Sequence, residues 1–301
     1  MKKILTFFLF LSCITAGLYA KGPGSTSGTT LLIPVFPQAA GMAEACSSLT
    51  GDLMLISYNP AGLAEFTGTE VAALHNRGMA DDHTSAIILG KRFSFASFAA
   101  AIIYYTTGEI ELYDSIGDLK KKVGQEDILV IISNAEKIKS VSLGLSIKFL
   151  SSSIFGKSAF SYAADLGAQY KLLNILNLGL SVQNLGSKLI YLGDEEDLPL
   201  LIRPGISWDY DDPSKSFAVA IDMPYNINEG SVMIHLGVSS SFDKQLSFRM
   251  GHKTNLSRKA YTEEKFNIGW GIDLKYFKFD HSVAITKKLN FGQMFSVSTA
   301  F

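Results

Sequence analysis

Apolar and small or polar residues alternate along most of the chain after residue 68. In VSLGLSIKF, from Val141 to Phe149, every second residue is apolar and the residues between them are serine, glycine and lysine. Because side chains of a strand point to opposite faces in turn, this segment has one apolar and one polar face. The same alternation recurs in segments 160–170, 176–183, 232–239, 246–251, 266–274 and 279–285. The chain is therefore predicted to be an all-β protein.

The composition of the two faces indicates a membrane barrel. A strand of a soluble sandwich usually carries lysine, glutamate and threonine on its outer face. Here the polar faces consist mainly of glycine, serine, alanine and asparagine, and the opposite faces are broad and aromatic. We expect the bulky residues to face lipid and the small ones to face the interior. After residue 20, no apolar run reaches the roughly 18 residues that indicate a spanning helix.

The alternation predicts about fourteen strands. They are expected near 69–77, 82–91, 94–106, 127–137, 140–151, 158–171, 176–185, 199–210, 215–224, 230–241, 244–254, 264–275, 277–286 and 291–301. An even number brings both ends to one side of a membrane, and closure leaves no strand edge in hydrocarbon. The expected fold is thus a transmembrane antiparallel β-barrel of about 14 strands over residues 69–301, with short periplasmic turns and longer outer loops at 107–126, 186–198 and 255–263.

The first twenty residues are predicted to be a secretory signal peptide. The chain begins with MKK, continues with the apolar run ILTFFLFLSCITAGLYA and reaches small residues before Ala20. An anchoring helix is the alternative, but the run is shorter than the ~20 residues of a spanning helix and the polar stretch KGPGSTSGTT follows. Cleavage after Ala20 would remove Cys13 and leave Cys46 alone, which excludes an internal disulfide.

The end of the chain supports export to the bacterial cell outer membrane. The last predicted strand, FGQMFSVSTAF, ends on Phe301. Exported barrels of diderm bacteria typically end on an aromatic residue that their assembly machinery reads. We therefore interpret Phe301 as a membrane-assembly signal and expect outer-membrane lipids and the barrel assembly machinery as partners.

Residues 21–68 precede the barrel and do not alternate. Glycine and proline interrupt short apolar stretches, residues 38–48 are predicted to form one short helix, and Asn59-Pro60 is expected to start a turn. A segment of this length fits inside a barrel of fourteen strands. We expect residues 21–68 to form an N-terminal hatch or plug in the lumen.

Charge and motifs exclude several classes of function. The formal net charge is −1, whereas nucleic-acid binding requires a basic surplus, so no nucleic acid is expected. The five histidines show no HxxH or HExxH spacing, and no metal or other cofactor is expected. No GxSxG sequence is present, and Asp81-Asp82-His83 is interpreted as a turn. The protein is therefore predicted not to be an enzyme.

Two stretches resemble a known group of outer-membrane proteins. AAGMAEACSSLTGDLMLISYNPAGLAEF resembles the N-terminal signature of the PorV/PorQ family within the FadL-like superfamily of outer-membrane transport proteins, although only Gly41 accompanies the methionine where that family has several glycines. LGLSVQNLGSKLIYLGDEEDLPLLIRPGISWDY, from Leu178 to Tyr210, resembles the VQNLG strand, acidic loop and following strand of the same family. The resemblance spans most of the chain after residue 20.

The resemblance implies a function in transport. It implies a fourteen-stranded barrel that passes long-chain fatty acids or other hydrophobic molecules between an N-terminal hatch and the barrel wall. The predicted ligand and hatch residues are Asn59, Pro60, Ala61, Gly62, Arg203 and Arg249. For the first four, the alternative is a packing turn without ligand contact; for the two arginines, it is pairing with inward acids, for which the candidates are Asp165, Asp209, Asp222 and Asp273.

Two other functions remain open from the sequence. PorV-like relatives serve as attachment or shuttle subunits of secretion, so a barrel that binds secretion-system proteins is the main alternative. A general diffusion porin is disfavoured by the hatch-like segment and by the small and apolar residues of the predicted lumen. Which cargo is carried, and in which direction, is not determined by these patterns.

Overall fold

The computed structural model describes residues 21–22, 24–78, 82–113, 119–212, 214–257, 265–274, 276–286 and 291–301. The predicted signal peptide, residues 1–20, lies outside the described residues. Among the helices of the described ranges, none has the length and apolar character to cross a membrane.

The described part of the chain contains nineteen strands and four short helices. The strands in chain order are β1 Thr69–Arg77, β2 His83–Arg92, β3 Ser97–Thr106, β4 Glu109–Tyr113, β5 Leu119–Val123, β6 Gln125–Ile138, β7 Val141–Ile154, β8 Lys157–Leu173, β9 Leu176–Gly186, β10 Leu189–Tyr191, β11 Asp194–Glu196, β12 Leu201–Asp211, β13 Lys215–Asp222, β14 Tyr225–Asn226, β15 Ser231–Phe242, β16 Leu246–Asn255, β17 Lys265–Asp273, β18 Lys278–Thr286 and β19 Gly292–Ala300. The helices are the α-helix α1, Pro37–Gly41, and three 3₁₀-helices, Thr29–Leu32, Leu53–Ser57 and Pro60–Glu65.

Fourteen of these strands close into an antiparallel barrel, which confirms the predicted fold class. The first and last strands pair with each other, with Ala73 opposite Val297. Pairing of β13 with β15, with Val219 opposite Val238, completes the ring where the sheet would otherwise have an edge. The remaining short strands form the hairpins β4–β5 and β10–β11 and a two-residue extension, β14. Closure gives the backbone N–H and C=O groups of every barrel strand hydrogen-bond partners on both sides. A strand in hydrocarbon needs these partners, because no water is available there.

The alternation places the apolar and polar residues of strands such as β7 and β19 on the predicted faces. On β7 the apolar residues are solvent-accessible from outside, with Leu145 43% and Ile147 45% exposed, while the intervening Ser146 is fully buried. On β19, Phe295 and Val297 point outward and Met294 and Ser296 point inward. The outer surface is therefore a continuous apolar band, and the small and polar residues line the interior.

The two ends of the barrel differ. We call the end that carries Gly68, Phe301 and the turns at Lys139, Asn174 and Asp243 the turn end. The opposite end, the loop end, carries the connections 107–124, 187–200 and 223–230 and the hairpins β4–β5 and β10–β11. Short connections are not confined to the turn end, because Phe155-Gly156 joins β7 to β8 at the loop end. β18 ends and β19 begins at the loop end, and residues 287–290 between them lie outside the described residues.

Phe301 lies at the point of closure. Its N–H donates to the carbonyl of Thr69 at 2.8 Å, and its carbonyl accepts from the Thr69 N–H at 3.2 Å. The side chain is 81% exposed on the outside of the barrel. Phe301 thus pairs with the first barrel strand and has an exposed side chain.

Residues 24–68, which we call the N-terminal segment, contact the inward face of the wall. Most of the segment is buried, and its 3₁₀-helix Pro60–Glu65 packs against β6, β7 and β8. Inward glycines permit this approach: a Cβ on Gly144 would overlap the backbone of Pro60 and Ala61, and one on Gly167 would overlap Asn59. The glycines on the polar faces of the strands are therefore places where the segment meets the wall.

The helix expected over residues 38–48 is shorter than predicted. The α-helix ends at Gly41, and Ala43 and Glu44 follow with φ angles of 51° and 65°. Two consecutive residues in the left-handed region cannot continue a right-handed helix. The prediction was therefore wrong about the C-terminal half of this helix, and the chain turns there instead.

Candidate functional site

The predicted hatch residues form a turn that is fixed to the wall. Asn59 caps the following 3₁₀-helix, because its Oδ1 accepts from the Ala61 N–H at 3.1 Å, and Pro60 occupies the first helical position. The Asn59 Nδ2 donates to the carbonyl of Ser47 at 2.6 Å and to that of Ala168 on β8 at 3.4 Å. The Gly62 carbonyl accepts from Gly51 at 2.9 Å. This turn packs against the wall and lines neither of the cavities described below.

Amide and hydroxyl side chains of the wall hold the same part of the segment. The Gln169 Nε2 donates to the carbonyls of Ser47 at 2.9 Å and Leu49 at 2.7 Å. The Ser181 hydroxyl donates to the carbonyl of Tyr58 at 2.8 Å, and Gln183 donates to the same carbonyl. These bonds satisfy buried carbonyls of irregular backbone that has no strand partner.

Arg203 lies where the segment turns back on itself. Its Nη1 donates to the carbonyl of Glu44 at 3.0 Å and lies 3.6 Å from Oδ2 of Asp222. Its guanidinium lies over the ring of Tyr58, 5.2 Å from the centroid. Asp222 also accepts from the N–H groups of Cys46 at 3.1 Å and Ser47 at 2.9 Å. Arg203 therefore pairs with one of the four acids that the sequence left as candidates.

Arg249 makes an ion pair from β16, three strands along the wall from β12. Its Nη1 lies 2.7 Å from Oδ1 of Asp280, which was not among the predicted partners. The other oxygen of Asp280 accepts from the Nε2 of Gln38 in α1 at 2.8 Å. The arginine thus helps to hold α1 on the wall, and it lines neither cavity.

Glu44 is the most strongly perturbed acid of the N-terminal segment. Its carboxylate is buried and forms an ion pair and hydrogen bond with Lys253 of β16. Burial alone would raise the pKa of Glu44, but the positive charges of Lys253 and Arg203 outweigh it and lower the pKa to about 2. Glu44 is therefore ionised at every physiological pH.

A narrow cavity of about 20 Å³ lies between the segment and the wall, in the half of the lumen nearer the loop end. Its apolar lining comes from Leu31, Leu32, Ile33, Val35, Ile103, Leu129, Ile131 and Leu201. Its polar lining includes Arg203, Glu44, Tyr58 and Lys148. The Lys148 ammonium is buried and lies 2.7 Å from Asp165. Burial raises the pKa of Tyr58 well above its usual value, so its hydroxyl stays a neutral donor.

A larger cavity of about 250 Å³ lies on the other side of the segment, also toward the loop end. Apolar residues of its lining include Ile33, Pro34, Ala40 and Met294, and polar ones include Asn76, Glu44, Lys253, Lys265 and Asn267. Asn267 donates to the carbonyl of Ala40 at 2.5 Å, which ties α1 to this wall. Both cavities combine apolar walls with cationic side chains, a combination that suits amphiphilic molecules.

The sequence pointed to part of this site. Arg203 was selected because it occupies an inward position, and it lines the narrow cavity. Lys148 also occupies an inward position in the alternation of its strand, so the same pattern that points to Arg203 could have identified it. Glu44 and Tyr58 carry no periodic signal, because they belong to the irregular segment. Within the described ranges, no three histidine, cysteine, aspartate or glutamate side chains are close enough together to hold a metal ion.

The model of the uncharacterised protein family UPF0164 matches residues 13–172, more than half of the chain, and the chain belongs to this family. None of the curated proteins matches the sequence. The more specific assignment to the PorV/PorQ family stays a prediction.

Solved structures share the fold. The toluene transporter TodX of Pseudomonas putida aligns with a TM-score of 0.63 and 12% identity, covering 89% of this chain and 100% of TodX. A FadL homologue of Pseudomonas aeruginosa aligns with a TM-score of 0.54 and 10% identity over 88% of this chain and 97% of its own. The outer membrane protein Omp33 of Acinetobacter baumannii aligns with a TM-score of 0.50 and 6% identity over 78% and 98%. At these identities the similarity shows the fold alone, a β-barrel shared with these outer-membrane proteins.

Proposed function

We propose that this member of UPF0164 is a bacterial outer-membrane channel for hydrophobic molecules, with residues 21–68 as its hatch. The observation that carries the proposal is the filled lumen: the N-terminal segment packs on the wall but leaves two cavities with apolar and cationic linings. The fold shared with TodX, described as a toluene transporter, and with a FadL homologue supports the same class. The outer apolar band supports the location.

The proposed cargo is a long-chain fatty acid or a similar hydrophobic molecule. Burial of an alkyl chain contributes about 0.8 kcal/mol per methylene, so an apolar cavity can extract such a molecule from lipid. A volume of about 20 Å³ is too small for a long alkyl chain, so the segment moves to admit it. Arg203 is positioned to receive a carboxylate, because it reaches this cavity and guanidinium groups bind carboxylates well.

The hatch turn has a different proposed role. Asn59, Pro60, Ala61 and Gly62 hold the segment on β7 and β8, and we propose that this contact is released and re-formed during transport. Arg249 lines neither of the two cavities and its partner Asp280 binds Gln38, so we assign it to holding α1. Phe301 keeps its proposed role as the residue that the assembly machinery reads.

Uptake of radiolabelled palmitate tests the proposal. The host is a diderm bacterium that lacks its own channel for hydrophobic molecules, and the matched variants are Arg203→Ala and Arg249→Ala, two inward arginines that each face a carboxylate. We expect the wild-type protein to restore uptake and Arg203→Ala to lower it about tenfold, the effect of roughly 1.4 kcal/mol. Arg249→Ala should retain uptake once expression in the outer membrane is matched.

Two outcomes would contradict the proposal. A second variant, Asn59→Ala, changes the hatch turn. If both Arg203→Ala and Asn59→Ala take up palmitate at the wild-type rate, the assigned ligand site is wrong. Failure of the wild-type protein to restore uptake, although it is found folded in the outer membrane, would remove the transport function.

A protein-binding barrel is the second candidate function. The observation that favours it is the hairpin β10–β11 at the loop end, where Ile190 is 53% and Leu192 is 81% exposed beside the acidic residues 194–196. Exposed apolar residues rimmed by charge are typical of protein contacts. Secretion-system proteins would then be the partners. Gentle purification followed by identification of bound polypeptides and lipids distinguishes the two functions: a stoichiometric protein partner favours this one, and retained lipid favours transport.

A further inference from the structure

Glu44 stands between the two cavities. Glu44 and Ile33 are the two residues that line both of them. Arg203 lines the narrow cavity, and Lys253 lines the large one. A molecule that moves from the large cavity to the narrow one therefore has to pass the side chains of Glu44 and Ile33.

The backbone at this partition is held in an uncommon conformation. Ala43 and Glu44 both have positive φ angles, 51° and 65°, although neither is glycine. Such a conformation persists where surrounding contacts impose it. Here Arg203 binds the Glu44 carbonyl at 3.0 Å, and Lys253 binds its carboxylate. The turn is therefore held by one residue from the lining of each cavity. Loss of either contact favours rearrangement of the turn.

The charges around Glu44 form an anion site that the protein itself occupies. The Glu44 carboxylate is buried and pairs with the ammonium of Lys253, and the positive charge of Arg203, which binds the Glu44 carbonyl, also stabilises it. The Lys253 side chain is only 13% exposed. An ammonium this far from water needs an anionic partner, because desolvation of an unpaired charge is costly. A carboxylate supplied by a ligand satisfies the same requirement as the carboxylate of Glu44.

We propose that Glu44 is an internal ligand of Lys253 that closes the partition, and that the carboxylate of an incoming amphiphile replaces it there. The replacement frees the turn at Ala43 and Glu44 and joins the large cavity to the narrow one, where Arg203 receives the head group. This inference rests on the proposed transport function and adds the gate and its selectivity. Neutral hydrocarbons gain nothing from Lys253, so the gate favours amphiphiles with an anionic head.

Equilibrium dialysis of the full-length purified barrel in non-ionic detergent tests this proposal. The probes are radiolabelled palmitate and hexadecanol, which share a chain length and differ in head-group charge. Glu44→Gln keeps the shape of the side chain and removes the competing charge. We expect it to bind palmitate about tenfold more tightly than the wild-type protein, since a competitor has been removed, with hexadecanol binding unchanged. Lys253→Met should lose palmitate affinity and keep that for hexadecanol.

Glu65→Gln is the matched control. Glu65 is also an acid of the N-terminal segment paired with a wall lysine, Lys137 at 2.5 Å, but it lies at the turn end and lines neither cavity. The Glu65→Gln variant should bind palmitate with the same affinity as the wild-type protein. Lys253→Met removes the other partner of the same ion pair. If circular dichroism shows that Glu44→Gln is misfolded, Lys253→Met therefore still tests the proposal.

The outcomes separate this inference from the proposed function. If wild-type protein binds palmitate and neither Glu44→Gln nor Lys253→Met changes the affinity, the gate is wrong and the transport proposal stands. If Glu44→Gln changes the affinities for palmitate and hexadecanol by the same factor, Glu44 acts through packing and the gate is again wrong. If no folded variant binds either probe, both proposals are wrong.

Discussion

The two halves of the lumen differ in how the N-terminal segment fills them. Toward the turn end, residues 47–66 are held by glycine contacts, by amide hydrogen bonds and by apolar packing of Leu53, Leu55, Ile56, Leu63 and Phe66. Of this stretch, Ser57 and Tyr58 alone line one of the two described cavities, the narrow one. Toward the loop end, residues 29–46 lie beside both cavities. They too have apolar and glycine contacts, but they are in addition held by the charged groups of Arg203, Lys253 and Asp280. We therefore call residues 47–66 the sealed half and residues 29–46 the open half of the segment.

If the protein is the channel proposed above, this difference separates ligand binding from the barrier to passage. Close packing in the sealed half leaves a solute no route past Asn59 and Leu63 unless the segment moves. Charged contacts of the open half are exchangeable, because a ligand of suitable charge can replace them. Binding is therefore expected near the loop end, and the step that limits release is expected near the turn end.

The largest expected effect on stability comes from Asp222, which joins the two halves. Asp222→Ala leaves Arg203 without its carboxylate and the N–H groups of Cys46 and Ser47 without an acceptor. We expect the free energy of unfolding to fall by about 3–5 kcal/mol, as for other broken buried pairs. Urea titration in detergent micelles, followed by circular dichroism, measures it.

Asp211→Ala is the control for that measurement. Asp211 lies at the turn end of the neighbouring strand β12, and its side chain is 65% exposed and 3.7 Å from an equally exposed Lys244. Its removal should leave stability nearly unchanged. Equal losses for the two aspartates would show that Asp222 does not anchor the segment.

An intermediate effect is expected in the sealed half. Gly144→Val places a side chain where the backbone of Pro60 and Ala61 already lies, so the wall or the segment must shift. Overpacking of this kind costs about 1–3 kcal/mol in the free energy of unfolding. Ala100→Val adds similar bulk to an outward, exposed position on β3 and should have little effect in the same urea titration. If Gly144→Val is as stable as the wild-type protein, the sealed half can shift to accommodate the added side chain at little cost.

The smallest effect is expected for Glu65→Gln, which breaks an accessible ion pair with Lys137. The two side chains are 28% and 39% exposed, so we expect a loss below about 1 kcal/mol that shrinks as salt is added. Burial alone would raise the pKa of Glu65, but the hydrogen bond and charge of Lys137 outweigh it and lower the pKa below 4.5. The difference from wild type should therefore persist at neutral pH and disappear as the pH falls through that lowered value. A difference that grows with salt would contradict this assignment.

The barrel strands could be predicted to within three residues at each end. The first strand was expected at 69–77 and is Thr69–Arg77, and the penultimate one was expected at 277–286 and is Lys278–Thr286. A period of two over nine or more residues is a strong signal, because a shift of one residue exchanges the two faces. The irregular segment has no such period, so the helix of residues 38–48 was extended past Gly41.

Partners across the lumen could not be predicted in the same way. Four acids were candidates for Arg203, and the choice of Asp222 depends on how β12 and β13 align. Arg249 pairs with Asp280, which lies two strands away and was not considered. Lys253 and Glu44 are separated by more than two hundred residues and meet only because α1 and the turn after it pack against β16 and β17.

By itself, the sequence determined which side of each strand faces the membrane and how many strands close the ring. Both follow from local side-chain periodicity and from the need of every strand edge for a partner in hydrocarbon. The tertiary structure decided which interior groups meet, where the cavities lie and which carboxylate occupies Lys253. These depend on strand register and on the path of an irregular segment, which no local pattern encodes.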